Sequence, residues 1–229
     1  MDHKVTEQFI SLSLNPSTGR YLVLGNYLTY GIVGAVMMDL ALAGKIALED
    51  HIIIEGKDTS STGMPAHDRM MRTISGSTKH RNVKKWVRKF GNRSAWYRKE
   101  LQKYFVKKGI LRVEHKRFIG IPYKLHYVAT PGLRKNLINR YKEIILYNKK
   151  PEDHEIMVLG LMYACKMHKI IAKGGAERRK VRKNLVEIIK DNAFAADINK
   201  VIMEIQAAIT ASVAATVAVS AAASSSGGN

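Results

Sequence analysis

The residues with most chemical capacity in this chain are its cations. Thirty-eight Lys and Arg stand against 19 Asp and Glu, a formal net charge of +19 over 229 residues. Seven of them, Lys79, Arg81, Lys84, Lys85, Arg88, Lys89 and Arg93, fall between positions 79 and 93 with no acid among them. Such a set binds polyanions, either an anionic membrane leaflet or nucleic acid. Groups suited to bond-making are not assembled. The sequence contains no Cys-x-x-Cys, no His-Glu-x-x-His, no phosphate loop and no Gly-x-Ser-x-Gly. Asp153-His154-Glu155 comes nearest to an acid-base group, but three consecutive residues at a helix start point in different directions. Acids there suit the positive end of a helix dipole. Cys165, the single cysteine, lies in the apolar run 156–167 with no base beside it and reads as a packed thiol. The expectation is a protein that is not an enzyme, with no catalytic residue, metal site or cofactor.

The elements that carry the cations follow from apolar spacing. Val83, Trp86, Val87 and Phe90 recur at i, i+3, i+4 and i+7, predicting a helix that buries them and presents Lys84, Lys85, Arg88 and Lys89 as a basic membrane-docking face. Each such residue near anionic lipid contributes on the order of 1 kcal/mol. Gly91 ends this helix. Ser94 is expected to cap the next one, which runs through Trp96, Tyr97, Leu101, Tyr104 and Phe105 to Gly109. Leu111 to Val113 and Phe118 to Tyr127 then alternate as strands, with Glu114 to Arg117 as the turn between them. That puts His115, Lys116 and Arg117 at a hairpin tip. Helix followed by hairpin is also the layout of a winged helix, so a nucleic-acid-binding protein is the alternative reading. Against it stands the apolar and aromatic content of the 94–108 helix, which makes that helix core.

Gly31 to Asp50 supplies the centre of the molecule. Ile32, Val33, Val36, Met37, Leu40 and Ala41 predict a buried helix, Gly44 a left-handed stop, and Ile46 and Leu48 a strand. Further helices are expected after Gly132, from Glu155 to Ile171, and from Glu177 to Lys190, the last carrying a second basic segment from Arg178 to Lys183. The stretch 201–223 is long enough to span lipid, but Glu204 and Gln206 interrupt it and Ile202, Ile205, Ile209, Val213 and Val217 form one stripe. It reads as a core helix. The fold class is mainly α with small β-hairpins, as one domain over 1–219 and a flexible Ala/Ser/Gly tail over 220–229. Without a cysteine framework or a secretory leader, the reducing cytoplasm is the expected compartment.

Several of these residues carry a resemblance. Gly31, Gly34, Asp39, Leu40, Ala41, Leu42, Gly44, Lys45 and Glu49 are similar to the core helix and strand of the Golgi phosphoprotein 3 family. Glu7, Leu12, Leu14, Gly19 and Tyr21 resemble its opening segment, Phe105 to Leu111 a helix end and strand start, and Glu155 to Ala164 a later apolar helix. The resemblance implies a mainly helical peripheral protein on the cytoplasmic face of membranes, at the Golgi in eukaryotes, that binds phosphatidylinositol 4-phosphate. It also implies protein cargo such as the cytoplasmic tails of membrane enzymes, and self-association through the 111–127 hairpin. The headgroup positions implied by the family fall at Leu24, Val33, Ala95 and Arg98. Only Arg98 retains a basic residue, with Arg93 and Trp96 close enough in sequence to substitute. The missing acidic N-terminal extension makes the chain look like a bacterial relative.

Overall fold

The computed structural model describes residues 4–23, 25–130, 132–172, 174–191, 203–205, 207–212 and 214–215. Helix α1 (Lys4–Ser13) leads to α2 (Gly25–Leu42), the hairpin β1 (Ile46–Glu49) and β2 (Ile52–Glu55), then α3 (Pro65–Ser75), α4 (Val83–Gly91) and α5 (Ser94–Lys107). A second hairpin, β3 (Leu111–Phe118) and β4 (Ile121–Val128), precedes α6 (Leu133–Tyr147), α7 (Asp153–Ala164), α8 (His168–Ile171) and α9 (Gly175–Asp191). Both hairpins are antiparallel and form separate two-stranded sheets.

Helix α2 is apolar on every side and is buried from Gly31 to Ala41. An all-round apolar helix must be wrapped, and α1, α3, α4, α5, α7 and β1 all pack on it. Two glycines make the closest approaches possible. A Cβ on Gly31 would meet the Phe9 ring at 2.3 Å, and one on Gly34 would lie 2.7 Å from Ile209 and 3.1 Å from Leu161. Ile205 and Ile209 therefore come from a C-terminal helical stretch that seats its stripe directly on α2. Among its described residues Ile205, Ala208, Ile209 and Ser212 are buried. Ile202, Val213 and Val217 of the predicted stripe, and the predicted tail, lie outside the described residues. No described helix is long and apolar enough to cross a membrane.

The one acid inside α2 has a clear structural task. Asp39 accepts hydrogen bonds from Val5 N at 3.0 Å, from Thr6 N at 3.1 Å and from the Thr6 hydroxyl, and His67 Nε2 lies 3.1 Å from it. The first backbone donors of a helix have no partner within it, so Asp39 caps α1 from across the core. Glu155 does the corresponding work for α7. Its carboxylate accepts from Glu152 N at 2.8 Å in a capping box and holds Arg140 through two bonds of 2.7 and 2.8 Å. Cys165 is buried, its thiol donating to the Tyr27 carbonyl at 3.4 Å, and burial pushes it well up from the usual thiol range.

Three sequence expectations differ from what is observed. Ser94 is not a cap: Arg93 holds the N-cap position, and the Ser94 hydroxyl points to Thr29 instead. The single helix expected from Glu155 to Ile171 is two, because Lys166 takes a left-handed φ of 55° and Met167 N returns to Met162 O at 2.7 Å. The 114–117 segment is not a turn. It stays in β3, paired His115 to Lys124, Lys116 to Tyr123 and Arg117 to Pro122.

Candidate functional site

Helix α5 divides the functional surface. Its inward stripe, Tyr97, Leu101 and Phe105, is buried. On another face Ala95, Arg98, Lys99, Gln102, Lys103 and Val106 recur at helical spacing and form the floor of an open groove of about 1120 Å³. One wall is the loop Gly19-Arg20-Tyr21, continued by Gly25 and Leu28 of α2, and the other is Val113, Lys124, Leu125 and His126 of the second hairpin. The loop is held against β4 because Gly19 has φ +63°, and a Cβ there would lie 2.8 Å from the Tyr127 ring. Its far side is tied by Gln102, which donates to the Tyr21 hydroxyl at 3.1 Å. Burial pushes that phenol up to about 12, with Arg98 opposing.

Among the described residues that line this groove, Arg20, Arg98, Lys99, Lys103, Lys107 and Lys124 are basic and none is acidic. Burial first, then Lys124 and Arg98, lowers the pKa of His126 from the ordinary imidazole value. A groove of this kind attracts phosphate or carboxylate groups and offers guanidinium forks to bind them.

Beyond the groove the hairpin projects an apolar tip. The β3–β4 register closes on Phe118 opposite Ile121, leaving a two-residue turn of Ile119 and Gly120. Both take positive φ, 48° and 78°, the signature of a type I′ turn. Phe118 is 68 % exposed, Ile119 84 % and Ile121 69 %. The tip is thus Phe118 to Ile121, and His115, Lys116 and Arg117 lie one to three rungs below it as exposed residues of β3.

The other sequence-derived candidates scatter. Lys84, Lys85, Arg88 and Lys89 are exposed on α4, whose Val83, Trp86, Val87 and Phe90 are buried. Arg98 lines the groove. Arg93 and Trp96 do not, because they project from a different face of α5 toward α3, where Arg69 sits 4.2 Å above the Trp96 ring. Ala95 lines the groove without charge, Val33 is fully buried in the core, and Leu24 lies outside the described residues. The basic stretch of α9 is exposed, but α9 packs on α6, α7 and α8 whereas α4 packs on α2, so the two basic helices rest on different neighbours. Among the described residues no group of three or more His, Cys, Asp or Glu could hold a metal. Sequence reasoning missed Arg20, Lys99, Lys103, Lys107 and Lys124. The α5 spacing was a readable signal for three of them, but the wall residues come from segments about 100 positions apart.

A family model described as Golgi phosphoprotein 3 (GPP34) matches residues 6–205. The chain belongs to that family. Two vacuolar protein sorting-associated protein 74 sequences are similar to it. The one from Schizosaccharomyces pombe is 24 % identical over 159 residues, 61 % of this chain and 47 % of that protein. The one from Eremothecium gossypii is 24 % identical over 160 residues, 61 % and 48 % of the two. The chain therefore spans about half the length of these curated relatives. Both are fungal, and nothing in the comparisons supports the bacterial origin expected from the sequence. Nothing in them supports nucleic-acid binding either. For a Golgi phosphoprotein 3 member, the mainly helical domain with two small hairpins is the expected architecture.

Proposed function

We propose that this protein is a non-enzymatic peripheral membrane protein that docks on anionic lipid. The observation that carries this reading is the juxtaposition of an acid-free cationic groove with an exposed apolar hairpin tip. Arg98, Lys99, Lys103 and Lys124 attract lipid phosphates, while Phe118, Ile119 and Ile121 partition into the interface below them. Neither contribution is strong alone, and stable reversible docking takes two such signals together. Of the headgroup positions implied by the family only Arg98 is a cation in the groove, so binding is expected to follow total anionic charge rather than one headgroup shape. Family membership supports a Golgi setting and cytoplasmic tails of membrane enzymes as cargo. Self-association through the same hairpin is the one competing use of its tip.

Co-sedimentation with vesicles tests the reading. Binding is expected on phosphatidylglycerol vesicles and not on neutral phosphatidylcholine ones. Replacing Phe118 and Ile121 together by Ser should weaken it roughly tenfold or more, since each exposed side chain loses part of an apolar transfer of about 2 kcal/mol. Equal binding to both vesicle types, or none to either, would defeat the proposal. If the double substitution changes the sedimentation size of the free protein and leaves vesicle binding intact, the tip serves self-association.

A further inference from the structure

A second basic pocket lies on the opposite flank of α5 from the groove, among α3, α4 and the start of α5. It encloses about 220 Å³ and is lined by Arg69, Thr73, Lys89, Asn92, Arg93 and Tyr97. A neighbouring hollow of about 320 Å³ shares Lys89 and Thr73 and adds Arg72, Lys79 and Arg81. No described residue lining either one is acidic. Lys89 feels both burial and its basic neighbours. Its ammonium is held below the usual lysine range by burial first and then by Arg81 and Arg93.

The cations are also set in place rather than loose. Arg69 stacks 4.2 Å over Trp96, Arg81 5.0 Å over Trp86, and Lys89 4.9 Å over the same Trp86 ring. Trp86 is itself clamped against Phe90 at 5.2 Å and is 1 % exposed. A guanidinium stacked on an aromatic face keeps its N–H edges available for an oxyanion and loses little freedom on binding one. We propose that Arg69, Lys89 and Arg93 form a binding site for a phosphate monoester, separate from the groove beside Arg98. A monoester suits it better than a diester because it is close to dianionic at neutral pH and presents three terminal oxygens, one toward each cation. The ligand is either a lipid headgroup bearing a monophosphate or a free phosphate. The site stands apart from the docking proposal, because it uses none of the groove or hairpin residues.

The molecule carries its own reporter. Its two tryptophans, Trp86 and Trp96, both stack under cations of this pocket, and neither lines the groove. Inorganic phosphate titrated into the full chain against chloride of equal ionic strength should shift tryptophan emission saturably. Arg69→Gln with Arg93→Gln should raise the half-saturating concentration by roughly tenfold or more, in keeping with loss of two charge-assisted partners. Arg98→Gln should leave it within about twofold. Should the double variant fail to fold, Lys89→Gln on the exposed side of α4 gives the same comparison. Vesicles containing phosphatidylinositol 4-phosphate distinguish the sources. Saturation at roughly tenfold lower monoester concentration than free phosphate assigns a lipid headgroup, and no gain assigns the free anion. Absence of a saturable shift with either probe overturns the site, as does a shift that survives loss of Arg69 and Arg93 or disappears with Arg98→Gln. Vesicle co-sedimentation of these variants reports separately on the groove.

Discussion

Glu155 shows how a residue that resembles a catalytic acid is spent on structure. Burial opposes its ionisation, but the Arg140 fork and the Glu152 N–H outweigh that, so its carboxyl stays below the ordinary 4.5. A carboxylate whose folded pKa is depressed stabilises the fold fully above its unfolded value, and that contribution disappears as pH falls through the folded one. Glu155→Gln should therefore be less stable than the parent at pH 7 by about 2 kcal/mol, having lost charge-assisted bonds. The gap should close as pH drops below 4.5. Urea denaturation of both proteins from pH 7 to pH 3 measures it, and a gap independent of pH would show that the ion pair contributes nothing through its charge. The sequence already placed this acid at a helix start. It could not show Arg140, 15 residues away, as the partner.

At the scale of elements, the second hairpin carries a conflict between local preference and exposure. Type I′ turns favour Asn-Gly, and a β-branched residue at positive φ is strained. Ile119 occupies that position while 84 % exposed, so neither turn chemistry nor core packing accounts for it. The proposed contact with lipid would account for it. Ile119→Asn should slow amide exchange across β3 and β4, relieving strain of about 1 kcal/mol, and should weaken binding to phosphatidylglycerol vesicles at the same time. If vesicle binding is unchanged while exchange slows, the tip does not enter the membrane. The same conflict explains why sequence misplaced the turn. A charged run from Glu114 to Arg117 looks more like a loop than Phe-Ile-Gly-Ile does, and the physical reason is reversed only if the apolar end has somewhere to go. Helix α4 was legible because one-sided burial imposes a period on its residues, and α2 because its long apolar run ends at Gly44. The break between α7 and α8 was not, since Cys165-Lys166-Met167 contains neither Gly nor Pro and the left-handed residue is a lysine.

For the whole molecule, the sequence revealed the excess of cations but not their grouping. The groove draws on Arg20, Arg98 and Lys124, the pocket beyond α5 on Arg69, Lys89 and Arg93, and α4 presents Lys84, Lys85 and Arg88 to solvent. Proximity along the chain suggests that Arg93 and Trp96 join the headgroup groove, yet the two residues from Trp96 to Arg98 are roughly half a turn of helix and put them on opposite flanks of α5. With a net charge of +19 some polyanion affinity is unavoidable, so the decisive quantity is how binding responds to a local reversal. Lys84→Glu with Arg88→Glu leaves the buried stripe of α4 untouched and should change stability by about 0.5 kcal/mol or less. Each substitution removes roughly 1 kcal/mol of attraction to anionic lipid and adds repulsion, so affinity for phosphatidylglycerol vesicles should fall on the order of a hundredfold. Duplex DNA, measured at the same near-physiological salt, should bind weakly, without sequence preference and with steep salt dependence, as a basic surface without base readout does. A fall limited to twofold would mean that α4 faces away from the bilayer and that the groove and hairpin carry docking alone. Tight, sequence-selective DNA binding beside negligible vesicle binding would instead require the face of α5 bearing Arg98, Lys99 and Gln102 to be reassigned as a reading head.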